Sequence, residues 1–425
     1  MADGNMAACT AQEARPSMPS RRQVLAALAL PAALPLAGCW ERLGLLNPCA
    51  NAGEPGHRVD PALAAQAWAG LDPGRVLDMH VHVAGQGTGP GDPWVNPAMK
   101  SPANPFSYAH FALMANAACL GNDPANWSSR YVRRLEALAG EFPAGARFLL
   151  LALDGYHGED GRLDRGRTVF LVPDDYVAAI ARAAPERFLW CASVHPYRED
   201  AIARLRAAAA NGARAVKWIP YFMGIDPASP RCRAFYRELA RLRLPLISHG
   251  GWEHELVDDG VQDYGNPLRL RAPLEEGVTV IVAHCGMQGD FPDLDSPGPG
   301  KPKPSFELFA RLMDTPAYRG KLYGDLSAVV QGGRQPGALA TLIAKHEWHP
   351  WLVNGSDYPG PGIVAVMGMK GLVQEGVLAA SDAERLAHIQ QHNPLLFDFY
   401  LKRCLAWKGE RWPASVFEPG RVLRP

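Results

Sequence analysis

The chain has 425 residues, is 48% hydrophobic, and balances 43 basic against 43 acidic side chains for a formal charge of zero. That is enough apolar material for a large core, and although the length would allow two or three domains, α/β barrels of this size form a single one. With zero net charge, nothing argues for nucleic acid or for an acidic partner, and a small-molecule substrate is the expected partner.

Residues 1–39 read as an export signal. Arg21 and Arg22 follow Ser20, and an uncharged apolar run extends from Val24 to Leu36, broken by Pro31 and Pro35. The run falls short of the ~20 apolar residues a membrane span needs. It fits the h-region of a signal peptide, with the arginine pair resembling a twin-arginine signal. Leu36-Ala37-Gly38-Cys39 resembles a bacterial lipobox, which would make Cys39 the lipidated N-terminus of a periplasmic, membrane-anchored lipoprotein. The alternative is a plain cleaved signal whose cysteine is incidental. Of the eight cysteines none forms a CxxC pair. Cys191 and Cys285 sit in apolar runs and read as buried thiols, while Cys49 and Cys119 are candidates for a disulfide in an oxidising compartment.

Residues 40–71 read as a tether and lead-in, with a helix around Pro61–Ala69. Strand-length apolar runs then alternate with helical patterns. The strands are expected at Arg75–Val83, Arg147–Asp154, Phe188–His195, Ala213–Pro220, Leu244–Gly250, Val278–Cys285, Lys321–Val329 and Trp351–Asp357. The helices are expected at Tyr131–Ala139, Asp174–Ala184, Glu199–Ala210, Ala234–Arg243, Phe306–Met313, Leu339–Lys345 and Ser381–Tyr400, with Asp174 and Ser381 as N-caps. Eight alternations predict a (β/α)₈ TIM barrel over residues 72–405, followed by a C-terminal extension, 406–425. An open doubly wound sheet is the other arrangement this pattern allows. Polar residues favour the barrel: His82, Asp154, His195, Lys217, His249, His284, Asp325 and Asp357 all fall near the C-terminal ends of strands, where barrels place their active sites.

Three loops at that end stand out. The first, from Ala84 to about Ser128, contains an apolar segment at Phe106–Leu120 and is expected to cap a substrate pocket. The second, Met287–Ser305, is rich in Pro and Gly and reads equally as a surface excursion or a lid. The third carries Trp252, Glu253, His254 and Glu255.

The first strand, "VLDMHVHV", carries two histidines. Residues i and i+2 of a strand share a face, so His80 and His82 are expected to project together with Asp78 on the same side. Two imidazoles on one rigid strand make half of a metal site. Three further strands end in polar groups: "LISHGG" at His249, "VAHCG" at His284 and "NGSDYP" at Asp357. A single histidine closing an apolar strand is more often a hydrogen-bonded core residue than a ligand. Four in one architecture, with an aspartate, suit Zn²⁺, Mn²⁺ or Fe²⁺.

Taken in order, these motifs resemble the amidohydrolase superfamily, in the amidohydrolase-related branch that includes single-metal decarboxylases. The resemblance spans about Leu71 to Tyr400. It implies that His80, His82, His249 and Asp357 bind one divalent metal, most simply Zn²⁺, that Asp357 also serves as general base, and that His284 contacts the water or substrate or ligates a second metal. Lys217, on the fourth strand, would bridge two metals if carboxylated; otherwise it remains a cation for a carboxylate. His195, Tyr221, Trp252 and His254 are candidates for substrate contact. His110 and His254 read as solvated loop residues, and Asn354 and Ser356 as supports for Asp357.

Three functions follow. The first is a metal-dependent hydrolase of an amide, ester or lactone. The second is a metal-dependent decarboxylase of an aromatic or unsaturated acid, for which Lys217 or Arg334 would hold the carboxylate. The third is a surface lipoprotein that keeps the barrel without catalysis. Membrane contact is expected through a lipid anchor only, and the family allows a homo-oligomer.

Overall fold

The structure, a computed structural model, describes residues 46–49, 59–87, 89, 91–121, 124–252, 261–298 and 300–423. The export signal, Cys39 and His254 lie outside the described residues.

Eight parallel strands form the centre: β1 (Leu77–His82), β2 (Arg147–Leu151), β3 (Phe188–Cys191), β4 (Val216–Trp218), β5 (Leu246–His249), β6 (Val280–Ala283), β7 (Leu322–Asp325) and β8 (Leu352–Val353). Each falls within a segment expected from sequence, because fully buried parallel strands read as continuous apolar runs. β1, β2 and β3 pair in that order, as do β4 through β8. Parallel bridges join the two sheets at both edges, Ala192 to Val216 and Val81 to Tyr358. At the second junction Met79 N donates to Asn354 O (2.9 Å), Asp357 N to His80 O (2.8 Å) and His82 N to Tyr358 O (3.0 Å). The ring of strands is therefore closed as a (β/α)₈ barrel, and the open doubly wound sheet is excluded.

The interior is one apolar cluster with members from or beside all eight strands: Leu77, Met79, Leu149, Leu151, Cys191, Ala215, Ile247, Ile281, Tyr323 and Val353. Val422 and Leu423, at the end of the chain, join the same cluster. The C-terminal extension thus returns to pack under the barrel. A second, larger cluster fills the layer between strands and helices.

β1 is irregular. Its register against β2 slips between Asp78 and Val81. Leu77 and Met79 belong to the interior cluster, whereas Val81 belongs to the outer layer. The slip exchanges the two faces partway along the strand, so His80 and His82 face the barrel axis although Leu77 and Met79 do too. The expectation that Asp78 shares their side is corrected by this slip. Asp78 accepts from His80 N (3.0 Å) and Ser356 N (2.9 Å) and feels the charge of Lys402, outside the barrel.

The helices match their expected positions within a few residues, with three corrections. Asp174 is the first residue of helix Asp174–Ala183, whose N-cap is Pro173; its carboxylate instead accepts from Ser193 N at 2.8 Å. Ser381 likewise lies inside helix Ala380–His392, capped by Ala379. The single helix expected over Ser381–Tyr400 is two, because Pro394 begins a new helix, Pro394–Cys404, with Asn393 capping Leu396 N at 3.0 Å. The lead-in helix, Pro61–Trp68, packs against this last helix.

The loop after β1 carries helix α1 (Pro105–Ala117). A Cys49–Cys119 disulfide ties the chain before the barrel to the end of that helix. Cys191, Cys232, Cys285 and Cys404 are free and buried.

Candidate metal centre

The C-terminal ends of the strands bring six of the expected residues together. His80 Nε2 lies 3.3 Å from His82 Nε2 and 3.3 Å from Asp357 Oδ1, and His82 Nε2 lies 3.2 Å from the same oxygen. A tetrahedral site with bonds of 2.0–2.1 Å has ligand–ligand edges of roughly 3.3 Å. The three donor atoms already stand at that spacing around one point, so this donor set fits a divalent ion. His284 joins from β6: its donor nitrogen, those of His80 and an Asp357 oxygen lie within 4.8 Å of one another. The His249 and His284 rings are 4.9 Å apart. Lys217 Nζ lies 3.1 Å from His80 Nε2 and is almost wholly buried.

Two of the imidazoles, those of His80 and His284, are held through their far sides. His80 Nδ1 pairs with Asp325 Oδ2 at 2.5 Å, which leaves Nε2 turned inward. His284 Nδ1 pairs with Ser327 O at 3.0 Å. Ser327 Oγ donates to Asp325 Oδ2 at 2.8 Å and sits 2.9–3.0 Å from both histidine Nδ1 atoms. Carboxylate–histidine pairs of this kind fix ring orientation and raise ligand basicity. Asp325 lies at a strand end, but nothing in its local sequence distinguishes a residue that supports a ligand from one that binds directly. Ser327 carries no sequence signal of its own.

The loop after β8 is held from outside. Lys402 Nζ, fully buried, donates to Gly355 O and to Asp398 Oδ2, both at 2.5 Å. Gly355 is required by packing, since a Cβ there would meet Asp325 Oδ1 at 2.5 Å and His80 Cβ at 2.7 Å. Asp357 (φ 63°), His284 (φ 58°) and Cys285 (φ 49°) occupy the left-handed region. Such backbone is costly for non-glycine residues and is kept where surrounding contacts fix a side chain's aim.

Electrostatics divide the floor. Burial pushes the imidazoles of His80, His249 and His284 down, His249 to about 3, so they stand neutral and ready to ligate. Burial also raises the Asp325 carboxyl, to about 6. For Asp357 burial acts in the same upward direction, but the His82 hydrogen bond and the charges of nearby imidazoles and Lys217 outweigh it. Asp357 is held well below the usual carboxylate range and stays ionised.

Above this floor is a cavity of about 350 Å³. His82, Lys217, His249, His284 and Asp357 open onto it, and its walls are mainly apolar. Phe111, Met114 and Ala115 of α1 and Trp127 roof it, as expected for the loop after β1. Among the described residues of the Met287–Ser305 loop, Gln288 alone lines the cavity. The loop forms a short antiparallel pair, Asp290–Pro292 with Pro302–Pro304, locked outward by Arg311 to Asp293 (2.7 Å) and Arg271 to Asp295 (2.5 Å). It is a surface excursion. Arg334 also faces the cavity, held by Ala328 O (3.0 Å), Gln288 Oε1 (3.0 Å) and Gln331 Oε1 (3.1 Å).

Other expected contacts lie elsewhere. Tyr221 is buried beside the cavity wall, which takes its neighbour Phe222. Trp252 does not line the cavity; its ring packs against Gly289. His195 is also off the cavity: Nε2 pairs with Met223 O at 2.7 Å, and its backbone N–H donates to Asp154 Oδ2 at 3.0 Å. Asp154, His157 and Arg198 complete that polar cluster. His110, read from sequence as solvated, lies on α1 in the cavity wall.

The chain matches the amidohydrolase family profile over residues 77–362. None of the curated proteins matches it. Among solved structures it is similar to an uncharacterised TIM-barrel protein of Bordetella bronchiseptica (16% identity, 76% of this chain, 99% of that one, TM-score 0.45). It is also similar to a probable 2-pyrone-4,6-dicarboxylic acid hydrolase of Acinetobacter baumannii (14% identity, 81% and 99%, TM-score 0.40). A third is a 2,6-dihydroxybenzoate decarboxylase from Rhizobium (13% identity, 76% and 98%, TM-score 0.39).

Proposed function

The chain belongs to the amidohydrolase family, and from that premise we propose that it is a metal-dependent hydrolase that cleaves an amide, ester or lactone bond of a small, largely apolar molecule. The observation that carries this reading is the ionised Asp357 carboxylate at 3.2–3.3 Å from two imidazole nitrogens on the cavity floor. One divalent ion, most simply Zn²⁺, would be held by His80, His82, His249 and Asp357; when bound it lowers the pKa of water and polarises a carbonyl. Asp357 takes the proton from the attacking water and returns it to the leaving group. His284, fixed by Ser327, faces the developing oxyanion. Lys217 stays uncarboxylated, a cation at the edge of the site. The apolar walls exclude bulk water and strengthen each of these interactions.

A second reading is supported by Arg334 and Lys217, two basic side chains on one mainly apolar cavity. That pair suits a carboxylate on an apolar body, the substrate of a decarboxylase. In this reaction a pocket acid would protonate the carbon that loses CO₂.

The test is elemental analysis of metal per chain, followed by parallel assays of ester, lactone and anilide hydrolysis and of CO₂ release from aromatic acids. One equivalent of metal with hydrolysis is expected. Two equivalents would overturn the single-ion reading and assign Lys217, carboxylated, as the bridge. CO₂ release without hydrolysis would replace the first reading by the second. Inert, metal-free protein would leave only the non-catalytic lipoprotein.

We further propose export with lipidation at Cys39. The arginine pair, the apolar run and the LAGC sequence support it. Replacing Cys39 with serine is expected to release the protein from the membrane fraction.

A further inference from the structure

Residues 101–122 contain no Asp, Glu, Lys or Arg, in a chain that is 20% charged. They include all of α1, and α1 is a surface element: Ala117 is its one buried residue, and Phe106 and Tyr108 are 56% and 41% exposed. A solvent-facing helix ordinarily carries charge on its outer side. Here the inner side lines the cavity and the outer side offers aromatic and apolar groups.

The chain leading from the signal is fastened to this helix. Asn47 N donates to Asn116 Oδ1 and Asn116 Nδ2 to Asn47 O, both at 2.9 Å. Asn47 Nδ2 reaches Gly362 O at 3.3 Å, and Cys49 is disulfide-bonded to Cys119. Seven residues, 40–46, lie between Cys39 and Asn47, and the eight steps from one to the other reach at most ~29 Å when extended. An acyl chain on Cys39 would therefore hold the C-terminal end of α1 within that distance of the lipid headgroups. The helix itself is about 20 Å long at 1.5 Å per residue, so Phe106 at its far end stays within about 50 Å of the headgroups, and meets them when the helix lies along the surface.

We propose that the outer side of α1, with Phe106 and Tyr108, docks on the lipid bilayer to which Cys39 is anchored. This rests on the lipidation reading and is independent of which bond the site breaks. Among the described residues no helix is long and apolar enough to cross a membrane, so the contact is interfacial. Aromatic side chains suit that depth. One helix then has the membrane on one side and the cavity on the other, which places the site to receive an apolar substrate from the bilayer.

The experiment uses the full chain in its own membranes with a photoreactive p-benzoylphenylalanine at Phe106 or, for comparison, at Leu294 on the ion-paired excursion, where a side chain is 47% exposed. Lipidation is followed in the same cells by labelled palmitate, with Cys39→Ser as control. Phospholipid adducts at position 106 at least fivefold above those at 294 are expected. Lipidated, membrane-bound protein without lipid adducts at 106 would overturn the docking and leave the anchor standing. A chain-to-chain adduct at 106 would overturn it in favour of a second copy. Absence of label on Cys39 would overturn the anchor and the docking together.

Discussion

The floor and the roof of the cavity are built on opposite principles. On the floor several groups are aimed by a second residue: His80 by Asp325, His284 by Ser327, and the Gly355 backbone by Lys402. The roof meets the cavity mainly through apolar side chains, Phe111, Met114 and Ala115. Besides Trp127, it is one uncharged helix fastened at its end by a disulfide and by the amide of Asn116. The difference assigns them different tasks. A floor whose His80 and His284 are fixed from behind tolerates little displacement, so it defines the chemistry. A roof of van der Waals contacts can be re-cut without disturbing the ligands, so it defines what enters.

The sharpest way to break this division is at the floor. Asp357→Asn is expected to lower kcat by roughly 10²–10⁴-fold, the usual value of a general base, while metal per chain, measured by elemental analysis, falls less than twofold. A mutant with full turnover would remove Asp357 from the proton path. The roof should respond differently. Replacing Cys49 and Cys119 with serine is expected to cost about 2–4 kcal/mol of stability in a denaturant titration. KM should rise with metal affinity unchanged, and a loss of metal would mean that roof and floor are coupled. The smallest expected effect tests the support beneath the floor. Asp325→Asn keeps the shape but removes the charge behind His80, and should weaken metal binding by about 10–100-fold in a competitive chelator titration. Unchanged affinity would show that the 2.5 Å contact with His80 serves folding alone.

The sequence carried much of this in advance. Eight apolar runs marked the strands, and the polar residue closing each of several runs marked the floor, since a buried polar group in an apolar run needs a partner. The disulfide was a candidate from compartment and cysteine usage. Pro394 was equally readable as the start of a new helix, yet the apolar pattern on both sides of it suggested one.

What the sequence determined alone is local: which segments are apolar, and where each one ends in His, Lys or Asp. Which way those residues face was settled by the tertiary structure. The alternation rule puts Asp78 with His80 and His82, but the slip in β1 against β2 turns the faces over between Met79 and His80. Across the slip, Met79, His80 and His82 hydrogen-bond to Asn354, Asp357 and Tyr358, about 275 residues away. The choice of Phe222 over Tyr221 for the cavity wall, and of Asp325 and Ser327 as supports, has the same origin. Periodicity is a property of a few neighbouring residues, whereas the facing of a side chain in a closed barrel is fixed by register with strands the local sequence does not contain.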